Sequence, residues 1–201
     1  MTTFYVEIKA DHYLCAIDTY TTIATAGDAE GNTTRRTYKY LYHDKFILLG
    51  AGTVEDIYRL HGALCDIADG AGLRADRIIA ARRKLEWTHL FGVAVPFTQR
   101  RLDVSMAVLT EHGAYAIDNS GVTLRHKVGS TFTGGSGSTY IRAYESACEK
   151  VGAEFDLRDA MYFTSQYDPY TSPECDVLHV YHCISEPLCV GGNDNERNGH
   201  E

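Results

Sequence analysis

The chain of 201 residues is long enough to bury a substantial core, and its 44% hydrophobic content is that of an ordinary globular protein. A net charge of −8 speaks against the basic face that a nucleic-acid backbone demands, so clusters such as Arg35-Arg36 and Arg82-Arg83-Lys84 read as solvated surface. No stretch approaches the ~18 apolar residues of a spanning helix, and the opening residues lack a basic flank before a long apolar run, which leaves a cytoplasmic protein as the expectation, with no membrane and no nucleic acid as partner.

Alternation of apolar and polar residues predicts strands at Phe4–Lys9, His12–Asp18, Thr37–Tyr42 and Lys45–Leu49. Val54, Ile57, Leu60, Leu64 and Ile67 then recur at helical spacing up to Gly70, and Ala75–Leu90 repeats the pattern. Strands resume at Leu102–Leu109 and Ala114–Ile117. After the glycine-serine stretch Gly134-Gly135-Ser136-Gly137-Ser138 come helices over Tyr140–Lys150 and Leu157 to about Phe163, and a last strand over Asp176–Ile184. Blocks of strands and helices, rather than alternating βα units, point to an α+β fold with two sheets between helical layers. Residues 1–190 read as one domain. The tail Gly191–Glu201 has no apolar residue and is expected to be flexible.

Six cysteines (15, 65, 148, 175, 183 and 189) include no CxxC pair and read as reduced, with Cys15, Cys65 and Cys148 in apolar patterns. In His179-Val180-Tyr181-His182-Cys183 a strand places His179 and Cys183 on one face and His182 on the other, so a structural role is favoured over a metal site.

The chain begins Met1-Thr2-Thr3. Trimming of Met1 would leave Thr2 with a free α-amine beside its own hydroxyl, so that one residue holds both nucleophile and base. Such an amine, with a pKa of roughly 7.7–8.0, is suited to take the hydroxyl proton at neutral pH.

With these first residues, four further segments carry a resemblance: Ala16-Ile17-Asp18, Leu49-Gly50-Ala51-Gly52-Thr53-Val54-Glu55-Asp56 opening the first helix, Gly135-Ser136-Gly137-Ser138 opening the third, and Asp168-Pro169-Tyr170-Thr171-Ser172 before the last strand. Their order and spacing resemble the threonine-dependent N-terminal nucleophile hydrolases, specifically proteasome β subunits and the HslV peptidase, from Thr2 to about Ile184. The resemblance implies a four-layer αββα sandwich and a threonine endopeptidase that assembles into rings, receives unfolded polypeptides and is fed by an ATPase unfoldase.

It also implies roles. Thr2 would attack the peptide carbonyl while its amine shuttles the proton. Asp18 would orient donors beside it, the Gly52 N–H would stabilise the oxyanion, and Ser136 would hold the amine and a water. Asp168 and Thr171 match the supporting Asp-x-x-Ser pair, with threonine in place of serine. No cofactor is required by this chemistry; the main-chain carbonyls of Ser165, Asp168 and Thr171 would hold a structural Na+ or Mg2+ ion.

Relatives carry a lysine in the third strand. Counting back from Gly52, its position falls on Thr37, or on Tyr38 with a turn one residue shorter, and neither is basic. Lys39 shares a face with Thr37 at a displacement of about 6.5 Å, which a long side chain or a bulge could bridge. The alternative is a ring or scaffold subunit that keeps the fold without the chemistry. For specificity, Gly50 would leave the first pocket deep, and Glu55 or Asp56 would either favour basic side chains or serve the helix N-terminus.

Overall fold

The structure, a computed structural model, describes residues 2–24, 32–36, 39–68, 73–91, 104–118, 120–125, 127–182 and 188–189. The elements are β1 (Thr3–Ile8), β2 (His12–Asp18), β3 (Tyr20–Ala24), β4 (Asn32–Arg36), β5 (Tyr40–His43), β6 (Phe46–Gly52), α1 (Val54–Ala68), α2 (Ala75–Phe91), β7 (Val104–Thr110), β8 (Gly113–Asp118), β9 (Gly121–Arg125), β10 (Thr131–Gly135), α3 (Ser138–Val151), α4 (Leu157–Ser165), β11 (Cys175–Tyr181) and β12 (Leu188–Cys189). Two five-stranded antiparallel sheets run β10-β1-β2-β11-β12 and β5-β6-β7-β8-β9, with β3-β4 a separate hairpin.

Period two decides how each strand is shared between neighbours. Phe4, Val6 and Ile8 of β1 join Cys15 and Ile17 of β2 in a core with Ile47, Leu49, Ala107 and Leu109 of the other sheet. The opposite face of β1–β2 turns Tyr5 and Ala16 toward Ile141, Leu157 and Met161 of α3 and α4. In the second sheet Phe46 and Leu48 instead meet Leu60, Leu64 and Ala68 of α1 and Ile78 and Ala81 of α2. Central strands are therefore buried on both faces, which is why β6 reads as an unbroken apolar run. Each fully buried Ile, Leu or Phe of these cores contributes roughly 1.5–3 kcal/mol relative to exposure.

Capping sets the two helices nearest the site. Asp156 accepts hydrogen bonds from the N–H groups of Arg158 and Asp159 and starts α4, while α3 ends at Gly152 in the left-handed conformation.

The helices fall where periodicity places them. Five strands do not appear in that reading: β3, β4, β9, β12 and β10. The last carries the pattern Thr-Phe-Thr-Gly-Gly, and its two glycines conceal an edge strand that pairs Thr3 with Gly135 and Phe4 with Gly134. The third expected strand begins three residues later, at Tyr40; Thr37 and Tyr38 lie outside the described residues, as do Cys183, Ile184 and the tail 191–201. His179 stacks on His12 at 5.1 Å between centroids, and His182 packs against Tyr13 at 4.7 Å, on opposite faces of the sheet. Cys15, Cys65, Cys148 and Cys175 are not joined in disulfides. Among the described residues no helix is long and apolar enough to cross a membrane.

Candidate active site

The site lies where the starts of β1 and α3 meet the ends of β2 and β6. Thr2 is buried, at 7% exposure, and shares with Gly52, Ser136 and Ser138 the lining of a cavity of about 530 Å³. Gly52 closes β6 with φ 122°, a conformation that suits glycine and turns the chain into α1.

The next residue of the chain fixes the position of Thr2. The N–H of Thr3 donates to Asp18 Oδ1 at 2.9 Å, and Lys39 Nζ donates to Asp18 Oδ2 at 2.7 Å. The Ser172 N–H points to the same Oδ2 at 3.5 Å. Asp18 is wholly buried, and the Lys39 side chain is 7% exposed. Burial raises the Asp18 carboxyl above its ordinary value, opposed by the Lys39 ammonium and by the N–H groups of Thr3 and Ser172. Burial also lowers the Lys39 ammonium, opposed by Asp18. The pair therefore holds an ammonium more acidic than that of a surface lysine.

The position of this ammonium corrects the strand count. A two-residue turn, Asp44-Lys45, joins His43 to Phe46, and the register carried back pairs Tyr40 with Leu49. The Gly50 N–H then donates to the Lys39 carbonyl at 3.4 Å, so Lys39 lies at the mouth of β5 and extends inward to Asp18. The ammonium beside Asp18 is that of Lys39, one or two residues beyond the counted positions Tyr38 and Thr37.

A second network supports the opposite side. Asp168 Oδ2 accepts from Ser136 Oγ and from Thr171 Oγ1, each at 2.6 Å, and Asp168 Oδ1 accepts the Tyr170 N–H at 3.2 Å. Thr3 Oγ1 lies 2.6 Å from Thr171 Oγ1 and accepts the Gly137 N–H at 2.9 Å. Each hydroxyl has one proton, and that of Thr171 goes to Asp168. Thr3 must therefore donate to Thr171, which orders the chain as Gly137 N–H, Thr3, Thr171, Asp168. Burial would raise the Asp168 carboxyl, but the hydrogen bonds from Ser136, Thr171 and Tyr170 outweigh it and hold the group below the ordinary carboxylate value.

Three contributors were not singled out by sequence: the Thr3 hydroxyl, Gly135 and Gly137. A Cβ on Gly135 would lie 1.7 Å from the Thr2 carbonyl oxygen, and its φ is +92°. One on Gly137 would lie 2.6 Å from Thr3 Oγ1 and 2.8 Å from Thr171 Oγ1. The signals were visible as a paired threonine and a glycine-rich stretch, but neither says which atoms meet.

The first pocket departs from expectation. Ile57 fills the space beside Gly50, within 2.8 Å of where a Cβ would stand, so this glycine leaves no deep pocket. Glu55 pairs with Arg59 at 2.6 Å on the surface of α1, and Asp56 is buried. Of the carbonyls expected to hold a cation, that of Asp168 accepts the Thr171 N–H at 3.1 Å. Among the described residues no group of three or more His, Cys, Asp or Glu side chains is placed to hold a metal ion.

The fold is similar to solved structures over most of the chain. HslV from Trypanosoma brucei superposes with a TM-score of 0.60 at 20% identity, covering 90% of this chain and 99% of that one. Thiobacillus denitrificans BPH gives 0.62 at 14% identity, covering 89% and 97%. BPH in complex with epoxomicin gives 0.62 at 13% identity, covering 92% and 100%. The chain thus has an α+β fold similar to that of HslV and BPH. No protein-family model and no curated protein matches the sequence.

Proposed function

We propose that this protein is a threonine endopeptidase whose nucleophile is Thr2, exposed by removal of Met1. The observation that carries the reading is the buried Lys39–Asp18 ion pair, hydrogen-bonded to the amide of Thr3, directly behind a cavity lined by Thr2, Gly52 and Ser136. The α-amine takes the Thr2 hydroxyl proton as Oγ1 attacks the substrate carbonyl, then passes it to the leaving amine, and water hydrolyses the resulting ester. Lys39 favours the alkoxide electrostatically, and the Gly52 N–H receives the oxyanion. Asp18 holds Lys39 and the Thr3 amide, while Asp168 and Thr171 anchor Ser136 and Thr3.

The three cores support a four-layer αββα arrangement. In the same reading the protein is cytoplasmic, self-associates into rings, and degrades unfolded polypeptides delivered by an ATPase. No cofactor takes part. The carbonyls of Ser165, Asp168 and Thr171 are the donors for a structural Na+ or Mg2+ ion, the hard oxygen set such ions prefer, and the Asp168 carbonyl keeps one lone pair beyond its bond to Thr171.

The test is intact mass before and after exposure to a peptide epoxyketone, a reagent that engages both hydroxyl and amine of an N-terminal residue. Loss of Met1 and a single adduct, absent in Thr2→Ala, is the expected result. A trimmed chain without adduct would favour the alternative of an inactive scaffold subunit. That alternative rests on the want of a lysine at Thr37 or Tyr38; the ammonium of Lys39 beside Asp18 supports the peptidase reading instead.

A further inference from the structure

We propose that Met1 is removed only before β1 enters the sheet, by a methionine aminopeptidase acting on the unfolded chain, and that a chain folded with Met1 stays inactive; the inference rests on the peptidase reading. The step is a hydrolysis. Water adds across the Met1–Thr2 peptide bond, free methionine leaves with the new carboxylate, and Thr2 keeps the α-amine. Folding closes access to that bond.

Thr2 is 7% exposed, Thr3 is wholly buried and Phe4 is 1% exposed. Strand β1 lies between β10 and β2, so Thr3 pairs with Gly135, and Phe4 pairs with Gly134 on one side and Ile17 on the other. Side-chain contacts add to these ladders. Asp18 accepts the Thr3 N–H, the Thr3 hydroxyl meets Thr171 and accepts the Gly137 N–H, and the Phe4 ring lies 2.3 Å from where a Cβ on Gly134 would stand. The cavity in front of Thr2, of about 530 Å³, has the size of a small-molecule site and does not admit the wall of a second enzyme's active site.

An aminopeptidase must enclose the terminal residue and the bond behind it in its own pocket, so the bond has to leave this cavity. At about 3.3 Å of reach per residue, that withdrawal detaches at least Thr2, Thr3 and Phe4. It takes the Phe4 ring out of the core between the sheets and leaves Asp18 without the Thr3 amide, an opening close to loss of the sheet itself. Many chain termini are loose enough to be trimmed after folding; this one is not. Trimming and folding therefore compete, and their order decides whether Thr2 gains its amine.

The test uses the full chain purified from cells grown with a methionine aminopeptidase inhibitor, so that it keeps Met1. Purified methionine aminopeptidase is added to the folded chain and, separately, to a peptide of residues 1–9, and intact mass is followed. The folded chain is expected to lose Met1 at least about 100-fold more slowly than the peptide, and its Thr3 amide to exchange hydrogen as slowly as the centre of β2. A smaller rate difference, no trimming of the peptide, loss of Met1 from the folded chain without aminopeptidase, or early exchange at Thr3 would overturn the proposal. Failure of the peptidase reading looks different: a chain refolded with the aminopeptidase present, and shown by mass to begin with Thr2, would take no epoxyketone adduct.

Discussion

Lys39 Nζ lies 2.7 Å from Asp18 Oδ2, and neither side chain has more than 7% exposure. The two residues are 21 apart in sequence, and their contact ties the end of β2 to the residue that precedes β5 in the other sheet. Removing one partner strands the other charge out of water. Lys39→Met should therefore lower unfolding free energy by about 3–5 kcal/mol, and the double variant Lys39→Met/Asp18→Asn should recover part of that loss. Urea denaturation of the two single variants and the double variant measures this, and strict additivity would show that the ion pair does not couple the two sites.

The same lysine should matter for rate. Lys39→Met is expected to reduce kcat/KM on a fluorogenic peptide by about 10²-fold or more, with Lys39→Arg less damaging to stability than to rate. Guanidinium keeps the charge, but its planar fork does not place it where the compact Nζ stands. Equal rates for Lys39→Arg and the parent would argue that only charge is needed.

Gly135 and Gly129 provide a matched comparison. Both have positive φ, +92° and +79°, but a Cβ on Gly129 meets nothing within 4 Å, whereas one on Gly135 meets the Thr2 carbonyl at 1.7 Å. Gly129→Ala should destabilise by about 1 kcal/mol, the conformational term alone. Gly135→Ala adds a backbone collision, so it should cost clearly more in thermal or urea denaturation and slow adduct formation at Thr2. Similar losses in both variants would show that the terminal segment yields easily.

Acid stability should carry the mark of Asp168. Its carboxyl is held below the unfolded value by Ser136, Thr171 and Tyr170, so its contribution is complete above the ordinary carboxylate range and declines as pH falls through the folded pKa. The stability difference between the parent and Asp168→Asn should shrink as pH is lowered below about 4. A difference that stays constant down to acid unfolding would mean that Asp168 is no better stabilised in the fold than in the unfolded chain.

The Thr3–Thr171 contact should distinguish hydroxyl from shape. Thr171→Val removes the proton given to Asp168 and the oxygen that receives the Thr3 proton, leaving buried polar atoms unmet at a cost of about 1–3 kcal/mol. Thr171→Ser should remain within about 1 kcal/mol of the parent, since only a methyl group is lost. Chemical denaturation of both variants checks the order.

Periodicity alone was sufficient for α1 to α4 and for the central strands β1, β2, β6, β7, β8 and β11, because helices and doubly buried strands leave apolar patterns in the local sequence. The paired threonines and Asp18, Gly52, Ser136, Asp168 and Thr171 were also legible, as short motifs at element ends. The lysine was not. Its place depends on a two-residue turn between β5 and β6 and on how the two sheets face each other, and a shift of one or two residues is invisible to a count along the chain. Edge strand β10 was hidden for a related reason: Gly134 and Gly135 weaken any strand signal, yet Phe4, Ser105 and the Thr2 carbonyl leave no room there for a Cβ. The use of Ile57 to fill the space beside Gly50 likewise depends on how α1 packs back on β6. Residue types and local periods are properties of the sequence; which atoms come within 3 Å of one another is decided only when the sheets and helices pack.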